Sequence, residues 1–565
     1  MGSSKSFQQA VPNLCIILCA GIIAYLNAAN GGFLVLDDNG MLASLQSTSY
    51  SLVQIFLGGG GEYYRPLTVI SFLFDRHWFG NDPQGYHLVN VALHLANGFL
   101  IYYLARELFR EEEGRDFAAL CASLLFVLSP LNSEAVLWVS ARTDLFCTLF
   151  ALLALIVVVK RGGEPRMVDG ALVFVALLCS LMVKEASVAL LAVIPLYLAW
   201  LGRAGAARRL VLAVPAIAAV LLYLFLRSDR QVKADAGVAK VVATVADASS
   251  ARTSIVGDAV AAYGFYLKKL LMPFPLDFAI TDINRTLAIC CFLVLIPLAG
   301  VLFVRWRHSR LPLLLICCGI ALPVLAFLGK IPWTPYAERY LYLPMVGFAL
   351  LVGCATFRVR VVPRVLIVAF LLVLAIPTIN RAALWADPIA FWGDIVEKNP
   401  RFARAHGALA AEYLAHGQYQ QAEQSSRNAL ELGLDRDFVW VNLAESHYAR
   451  REYDRYEHAM IRAAEVSSHP ASLYIDLIAR LGKIQGRGDD RPAYYHKAIG
   501  YYLKAYEYDE TYVDGLYNAG KLYWALGENG QATAHLQQFL NHPRNHENKK
   551  YARIILDKIS VSGRI

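Results

Sequence analysis

Charge is what this chain has least of: Asp, Glu, Lys and Arg make up 17% of 565 residues, against 57% hydrophobic ones. A string of water-soluble domains is excluded by that balance, because much of such a surface must face lipid. The formal net charge of +8 is spread over short loops instead of gathering on one face. It therefore argues against nucleic acid as a partner and reads as membrane topology. Cysteine is missing from the last two hundred residues, and all ten cysteines, from Cys15 to Cys354, lie in apolar segments. No disulfide framework or zinc site is indicated. The phosphate-cradling Gly-x-x-x-x-Gly-Lys pattern is absent, since "GGGGE" at 58–62 lacks its lysine. That absence argues against nucleotide-driven chemistry, and no nucleophile elbow is present either. "MGSSKS" fits the loose myristoylation pattern, but an acyl chain adds little to a chain that crosses the bilayer many times.

What is present is apolar length. A spanning helix needs about 20 apolar residues, and the hydropathy predicts eleven spans, at 11–29, 86–105, 117–130, 145–159, 170–183, 186–201, 210–227, 286–304, 311–328, 338–357 and 364–378. The first lacks a small-residue cleavage site and precedes further spans, so it reads as an anchor and not as a removed signal peptide. Every even-numbered exit carries three basic residues, for example Arg106, Arg110 and Arg115 after the second span and Arg305, Arg307 and Arg310 after the eighth. By the positive-inside rule those loops and the N-terminus face the cytoplasm. An odd number of spans then puts the C-terminal region outside, and the expected location is a multi-pass bacterial inner-membrane protein.

The opposite loops hold the distinctive polar motifs: "DDNG" at 37–40, "EYYRPL" at 62–67, "SPLNSEAVLWVSARTDL" at 129–145, "KEAS" at 184–187, a stretch from 228 to 285 and "WTPYAERYLYLP" at 333–344. Charges at a membrane boundary are costly to desolvate, so their convergence on one face is a functional-site hypothesis. Asp37 and Asp38 admit a plain reading as a helix start with a solvated neighbour, or a functional one in which one acid faces a substrate hydroxyl and the other organises the loop. Arg65, held out of helical geometry by Pro66, either snorkels to lipid phosphates or binds an anionic substrate. His87, Asn90, His94 and Asn97 form a polar stripe whose spacing does not suit a metal. His94 and Asn97 are expected to bond between helices, which leaves His87 as the site candidate. Glu134, Arg142, Asp144, Lys184, Glu185, Glu338 and Arg339 belong either to an ion-pair network that holds helices together or to the site itself. No metal ligand set and no cofactor are assigned, and the need for a divalent metal stays open.

After Trp385 hydropathy drops and a repeat begins. Ala422, Tyr456, Ala498 and Ala532 stand 34, 42 and 34 residues apart, and Ala429, Ala463, Ala505 and Phe539 follow each by seven. The longer third unit carries the polar insertion "GRGDDRPA" at 486–493. The pattern resembles tetratricopeptide repeats, helix pairs whose small residues allow close stacking into a solenoid with a groove. Such an array serves either as a spacer or assembly surface, or as a peptide-binding groove, for which Tyr413, Tyr448, Tyr453 and Tyr523 offer aromatic contacts.

The paired acids, the Arg-Pro of the same loop, the "GYHLVN" helix, the "P-x-x-x-E-A-V-x-W-V-x-x-R-x-D" loop, the "KE" turn and "ERYLYLP" together resemble the GT-C membrane glycosyltransferases of the protein O-mannosyltransferase type, above all those with tetratricopeptide repeats. The resemblance implies an all-α chain: a GT-C transmembrane domain over 1–380, a linker over 381–400, the repeats over 401–545 and a C-terminal helix or tail over 546–565. It also implies transfer of a sugar from a polyprenyl-phosphate carrier to a Ser or Thr hydroxyl of a protein on the periplasmic or lumenal side. The base in that family lies in the paired acids, which maps onto Asp37 and Asp38. Arg339, Lys184 and Arg65 are candidates to hold the carrier phosphate, with His87, Glu134, Arg142, Asp144, Glu185 and Glu338 in support. The acceptor hydroxyl is a weak nucleophile that needs a base, while the lipid phosphate leaves beside a fixed cation. Direct displacement with inversion follows. Ser129 departs from the pattern, since relatives often have His before this proline. The expected partners are the lipid-linked donor, a protein acceptor on the repeats and membrane lipids. The alternatives are transfer to a lipid or glycan of the envelope, and a non-enzymatic scaffold whose repeats assemble an envelope complex.

Overall fold

A computed structural model describes residues 2–34, 37–47, 51–57, 64–201, 205–228, 252–328, 336–356, 361–485, 491–544 and 546–562. The "GGGGE" run, most of the 228–251 stretch, residues 333–335 and the start of the 486–493 insertion therefore lie outside the described residues. Among the described residues the chain is helical throughout, with one isolated antiparallel bridge between Ile280 and Tyr336. It divides into two compact units, Met1–Asn399 and Pro400–Ile565.

Among the described residues of the first unit seven helices are long and apolar enough to cross a membrane: Pro83–Leu108, Val139–Arg161, Arg208–Arg227, Arg285–Arg305, Arg307–Leu325, Glu338–Thr356 and Pro363–Ala386. Each covers one of the expected spans. The count of eleven is not reached, for two physical reasons. The expected 117–130 span is the first arm of a broken helix, Arg115–Leu128 followed by Pro130–Leu137 at 47°. Pro130 has no N–H to give and forces Ser129 into extended backbone, φ −68° and ψ 125°. The Asn132 side chain satisfies the freed carbonyl of Phe126 at 2.7 Å. The other three, Ala10–Ala24, Met167–Leu181 and Glu185–Trp200, are apolar but shorter than a full crossing.

Local chemistry sets the helix starts. Asp82 accepts from the Gln84 N–H at 3.0 Å with Pro83 in the first turn, and Asn284 accepts from Leu287 at 3.0 Å. Residues 252–271, within an expected outer loop, form a helix instead. It lies so close to Arg285–Arg305 that a Cβ on Gly264 would meet the Ala288 carbonyl at 1.9 Å, so a side chain there would push the two helices apart.

The second unit is a stack of helix pairs, Ala403–Ala415 with Tyr419–Glu431, Asp437–Ala449 with Tyr453–Val466, Pro470–Gln485 with Arg491–Tyr508 and Asp514–Ala525 with Asn529–Asn541. The eight residues that mark the repeat in sequence are all buried, none above 1% exposure. The last helix, Lys549–Ser562, packs Ala552 and Ile555 onto Leu536 and Phe539, which makes it part of the repeat core. The turn inside a pair needs left-handed backbone. Gly417 and Gly527 supply it at φ 72° and 80°, whereas Arg451 holds the equivalent place at φ 62°.

Candidate active site

The segment from Glu134 to Asp144, short helical turns that lead into the helix from Arg142, organises the site, because its successive residues hold groups from distant parts of the chain. Ser140 donates to Asp38 Oδ1 from its backbone N–H at 2.9 Å and from its hydroxyl, and the Leu34 N–H donates to Oδ2 at 3.0 Å. Arg142 is fully buried and pairs with Asp75, while its guanidinium donates to Asn90 Oδ1 at 2.7 Å and to the Tyr86 carbonyl at 2.9 Å. Asp144 holds Lys184 Nζ at 2.6 Å. Glu134 holds Arg339 through the guanidinium and through the Arg339 N–H at 3.0 Å. Arg339 lies over the Trp138 ring at 4.9 Å and the Tyr340 ring at 5.0 Å, and Lys184 faces the same Tyr340 at 5.7 Å. Five separate segments are thus tied to eleven consecutive residues.

The acid pair divides its labour by exposure. Both residues lie in the first turn of the helix Asp37–Ser47, not on an irregular loop. Asp38 points inward with no exposed surface, and Asp37 is exposed. Burial pushes the Asp38 carboxyl up to about 6, with the Asp37 charge adding to the rise and the Ser140 and Leu34 hydrogen bonds opposing it. A carboxylate with three donors and no surface is an anchor; its neighbour is the one a substrate can reach.

The three cations expected at the carrier phosphate are each held by a carboxylate, but not equally. Arg339 is nine-tenths buried against Glu134, and Lys184 is closed by both oxygens of Asp144. Arg65 meets Glu185 at 3.0 Å with 23% of its side chain exposed. Glu185 also takes Arg227 at 3.5 Å and the Tyr223 hydroxyl at 3.3 Å, so two guanidinium groups share one carboxylate. This cluster is the open, positively charged part of the site.

Glu338 turns away from its neighbour Arg339. It pairs with Lys269 at 2.7 Å and Arg381 at 2.9 Å and accepts from the Asp277 N–H at 3.0 Å, so it joins the 252–271 helix to the last apolar helix. His87 is buried with Nε2 3.3 Å from the Gly32 carbonyl, close behind the acid loop. His94 and Asn97 bond between helices, to Tyr342 Oη at 2.7 and 3.2 Å and to the carbonyls of Val127 and Leu145. Ser129, at the helix break, is buried.

Sequence reasoning missed Asp75, Ser140, Arg227, Lys269 and Arg381. Arg381 and Lys269 carry a detectable signal, a lone cation in "AIPTINRAALW" and a lysine pair in the otherwise apolar "FYLKKLLMP". Asp75 and Ser140 carry none, because only folding brings them to their partners. Outside this unit, Glu423, His447 and Glu452 approach as a metal set would. Arg450 already bridges the two carboxylates, at 2.7 Å to Glu452, and His447 Nδ1 lies 2.7 Å from Glu452.

The chain is similar to protein O-mannosyl-transferases. One from Caenorhabditis elegans is 32% identical over 171 residues, 28% of this chain and 24% of that protein. Tmtc3 of Drosophila melanogaster is 29% identical over 231 residues, 35% of this chain and 25% of that protein. The chain therefore matches about a quarter of the length of these relatives. No protein-family model matches it. Among solved structures, ArnT from Cupriavidus metallidurans bound to undecaprenyl phosphate aligns over 82% of this chain and 81% of its own at 12% identity and a TM-score of 0.41.

Proposed function

We propose that the protein is a membrane glycosyltransferase that moves a sugar from a polyprenyl-phosphate donor to a Ser or Thr hydroxyl of a protein, by one inverting displacement. The observation that carries this reading is that one segment, 134–144, ties the helix of the exposed Asp37, through Ser140 and Asp38, to the turn of Glu185 with its two guanidinium groups, Arg65 and Arg227, through Asp144 and Lys184. The likeness to protein O-mannosyl-transferases supports the same reading.

Asp37 takes the acceptor proton as the new C–O bond forms. Asp38, tied to Ser140, sets where Asp37 points. The leaving phosphate carries its charge onto Arg65 and Arg227, with Lys184 and Arg339 behind them at Tyr340, so that the developing anion meets fixed cations. The basic exits at the other ends of the spans support an outward-facing site. The repeats recruit or orient the acceptor. Of the four tyrosines expected to contact it, all are half-buried, and Tyr448 and Tyr523 already pack on Tyr456 and His535, so they contribute part of their rings at most.

Purified protein in nanodiscs, given a labelled polyprenyl-phosphate sugar and either a Ser/Thr peptide or an envelope lipid, tests the reading directly. Sugar should appear on the peptide with inverted anomeric configuration, and Arg65→Ala should weaken donor binding while acceptor binding holds. Transfer to the lipid alone would move the acceptor class; unaltered donor affinity in Arg65→Ala would return that residue to helix pairing. Removal of the repeats should abolish transfer to the native protein acceptor yet leave transfer to a small acceptor. Full activity on the native acceptor would make the repeats an assembly surface.

A further inference from the structure

The helices that present the site at one end border a cavity at the other. Arg142 begins and Arg161 ends a helix of 20 residues, about 30 Å long, and Pro83–Leu108 runs alongside it. The acid anchor lies at the N-terminal ends of both. A cavity of about 480 Å³ lies at their C-terminal ends, lined by Leu108 of one and by Lys160 and Arg161 of the other. It is therefore on the opposite membrane face from Asp38.

Its lining is cationic beyond what orientation in the bilayer requires. Arg110, Lys160, Arg161, Arg208, Arg307 and Arg310 face three carboxylates, Glu107, Glu111 and Glu164, and Glu111 is already taken by Arg307 at 2.9 Å. Topology needs basic residues somewhere in each loop; it does not need four loops to close them round one space. Like charges gathered this way repel unless an anion sits among them. The rim is apolar and interfacial. Trp200, 48% exposed, carries Arg310 over its ring at 5.2 Å and meets Phe303 edge-on. Phe303 belongs to Arg285–Arg305, an apolar helix with only 6% of its most apolar stretch buried and so faced by lipid along nearly all its length. Exposed Trp at such a position sits at headgroup level.

We propose that this cavity binds a phosphate group at the face opposite the transfer site, presented by an anionic phospholipid or as free phosphate. Basic pockets between helices at a membrane face hold anionic headgroups in this way. The cations hold the phosphate, and Trp200 together with the apolar stems of Tyr197 and Leu108 faces the glycerol and acyl chains when the source is lipid.

Native mass spectrometry of the full chain in a non-ionic detergent, titrated with phosphatidylglycerol or phosphatidylcholine, tests this. Phosphatidylglycerol should be retained in preference to phosphatidylcholine. The double variant Lys160→Gln with Arg208→Gln, at two exposed positions, should lose that preference on the order of tenfold. Arg427→Gln with Arg462→Gln, equal in charge but in the repeats, should leave it intact. Displacement by excess inorganic phosphate would identify free phosphate as the occupant, and resistance to it the lipid headgroup. Equal retention of both lipids without an effect of phosphate, or equal phosphatidylglycerol retention in parent and double variant at unchanged elution volume and melting temperature, would overturn the proposal.

Discussion

Ion pairs occur in both units of this protein, and they do different things. In the membrane unit the pairs packed about the candidate site are buried: Arg142 with Asp75 at 0% and 6% side-chain exposure, Lys269 with Glu338 at 3% and 1%. In the repeats they lie on the surface, as with Arg462 and Glu465 at 41% and 42%. Exposed pairs contribute little, because water competes for both partners. The repeats draw their order instead from small residues at helix crossings, with Ala422, Ala498 and Ala532 all buried. Buried pairs cost desolvation that an apolar pair would avoid. A chain that keeps them at one end of its spans is maintaining a charged environment there, and the pairing is what makes that environment compatible with a packed bundle.

The largest effect should come from unpairing a buried charge. Arg142→Ala leaves Asp75 without its partner, and about 3–5 kcal/mol of destabilisation is expected. Arg462→Ala should leave thermal unfolding of the full chain unchanged within error. Similar shifts in melting temperature for the two variants would erase the comparison.

Next comes the acid pair, where anchor and base should separate. Asp37→Asn should reduce turnover by ~10²-fold at unchanged stability, the scale of a lost general base. Asp38→Asn should also lower the melting temperature, because an amide cannot accept from Ser140 and Leu34 as a carboxylate does. If Asp37→Asn turns over at the parent rate, the proton acceptor is elsewhere.

A smaller effect follows from the titration of the anchor. Burial holds the Asp38 carboxyl at about 6, so it is ionised above that pH and protonated below it. A protonated oxygen no longer accepts from the Ser140 N–H, and kcat should fall as pH drops through this value. The acid limb should flatten in Asp38→Asn; an identical limb in that variant would assign the titration to another group.

The smallest test lies in the repeats. Arg451 holds a left-handed turn that Gly417 and Gly527 hold in the neighbouring pairs, so Arg451→Gly should stabilise by up to about 1 kcal/mol and Gly417→Ala should destabilise by a similar amount. Calorimetry of the full chain would show both shifts, and shifts of equal sign would mean that side-chain contacts outweigh backbone strain.

Much of this architecture was legible in the residues themselves. Apolar runs of about 20 residues locate helices whatever they pack against, and all seven long spans fall where hydropathy places them. The repeat was readable because buried positions, mostly alanines, recur every 34 residues, with one polar insertion lengthening the third unit to 42. The number of crossings was less legible, since Pro130 breaks one helix and three others stop short.

What only the tertiary structure decided is who pairs with whom. Arg142 and Asp144 stand two residues apart in one motif, yet Arg142 binds Asp75 and Asp144 binds Lys184, because residues two apart in a helix point to opposite sides. Asp37 and Asp38 are chemically identical in the sequence. The first turn of their helix rotates one outward and the other onto Ser140, 102 residues away, and that rotation, set by packing and not by residue type, separates a reachable acid from its anchor.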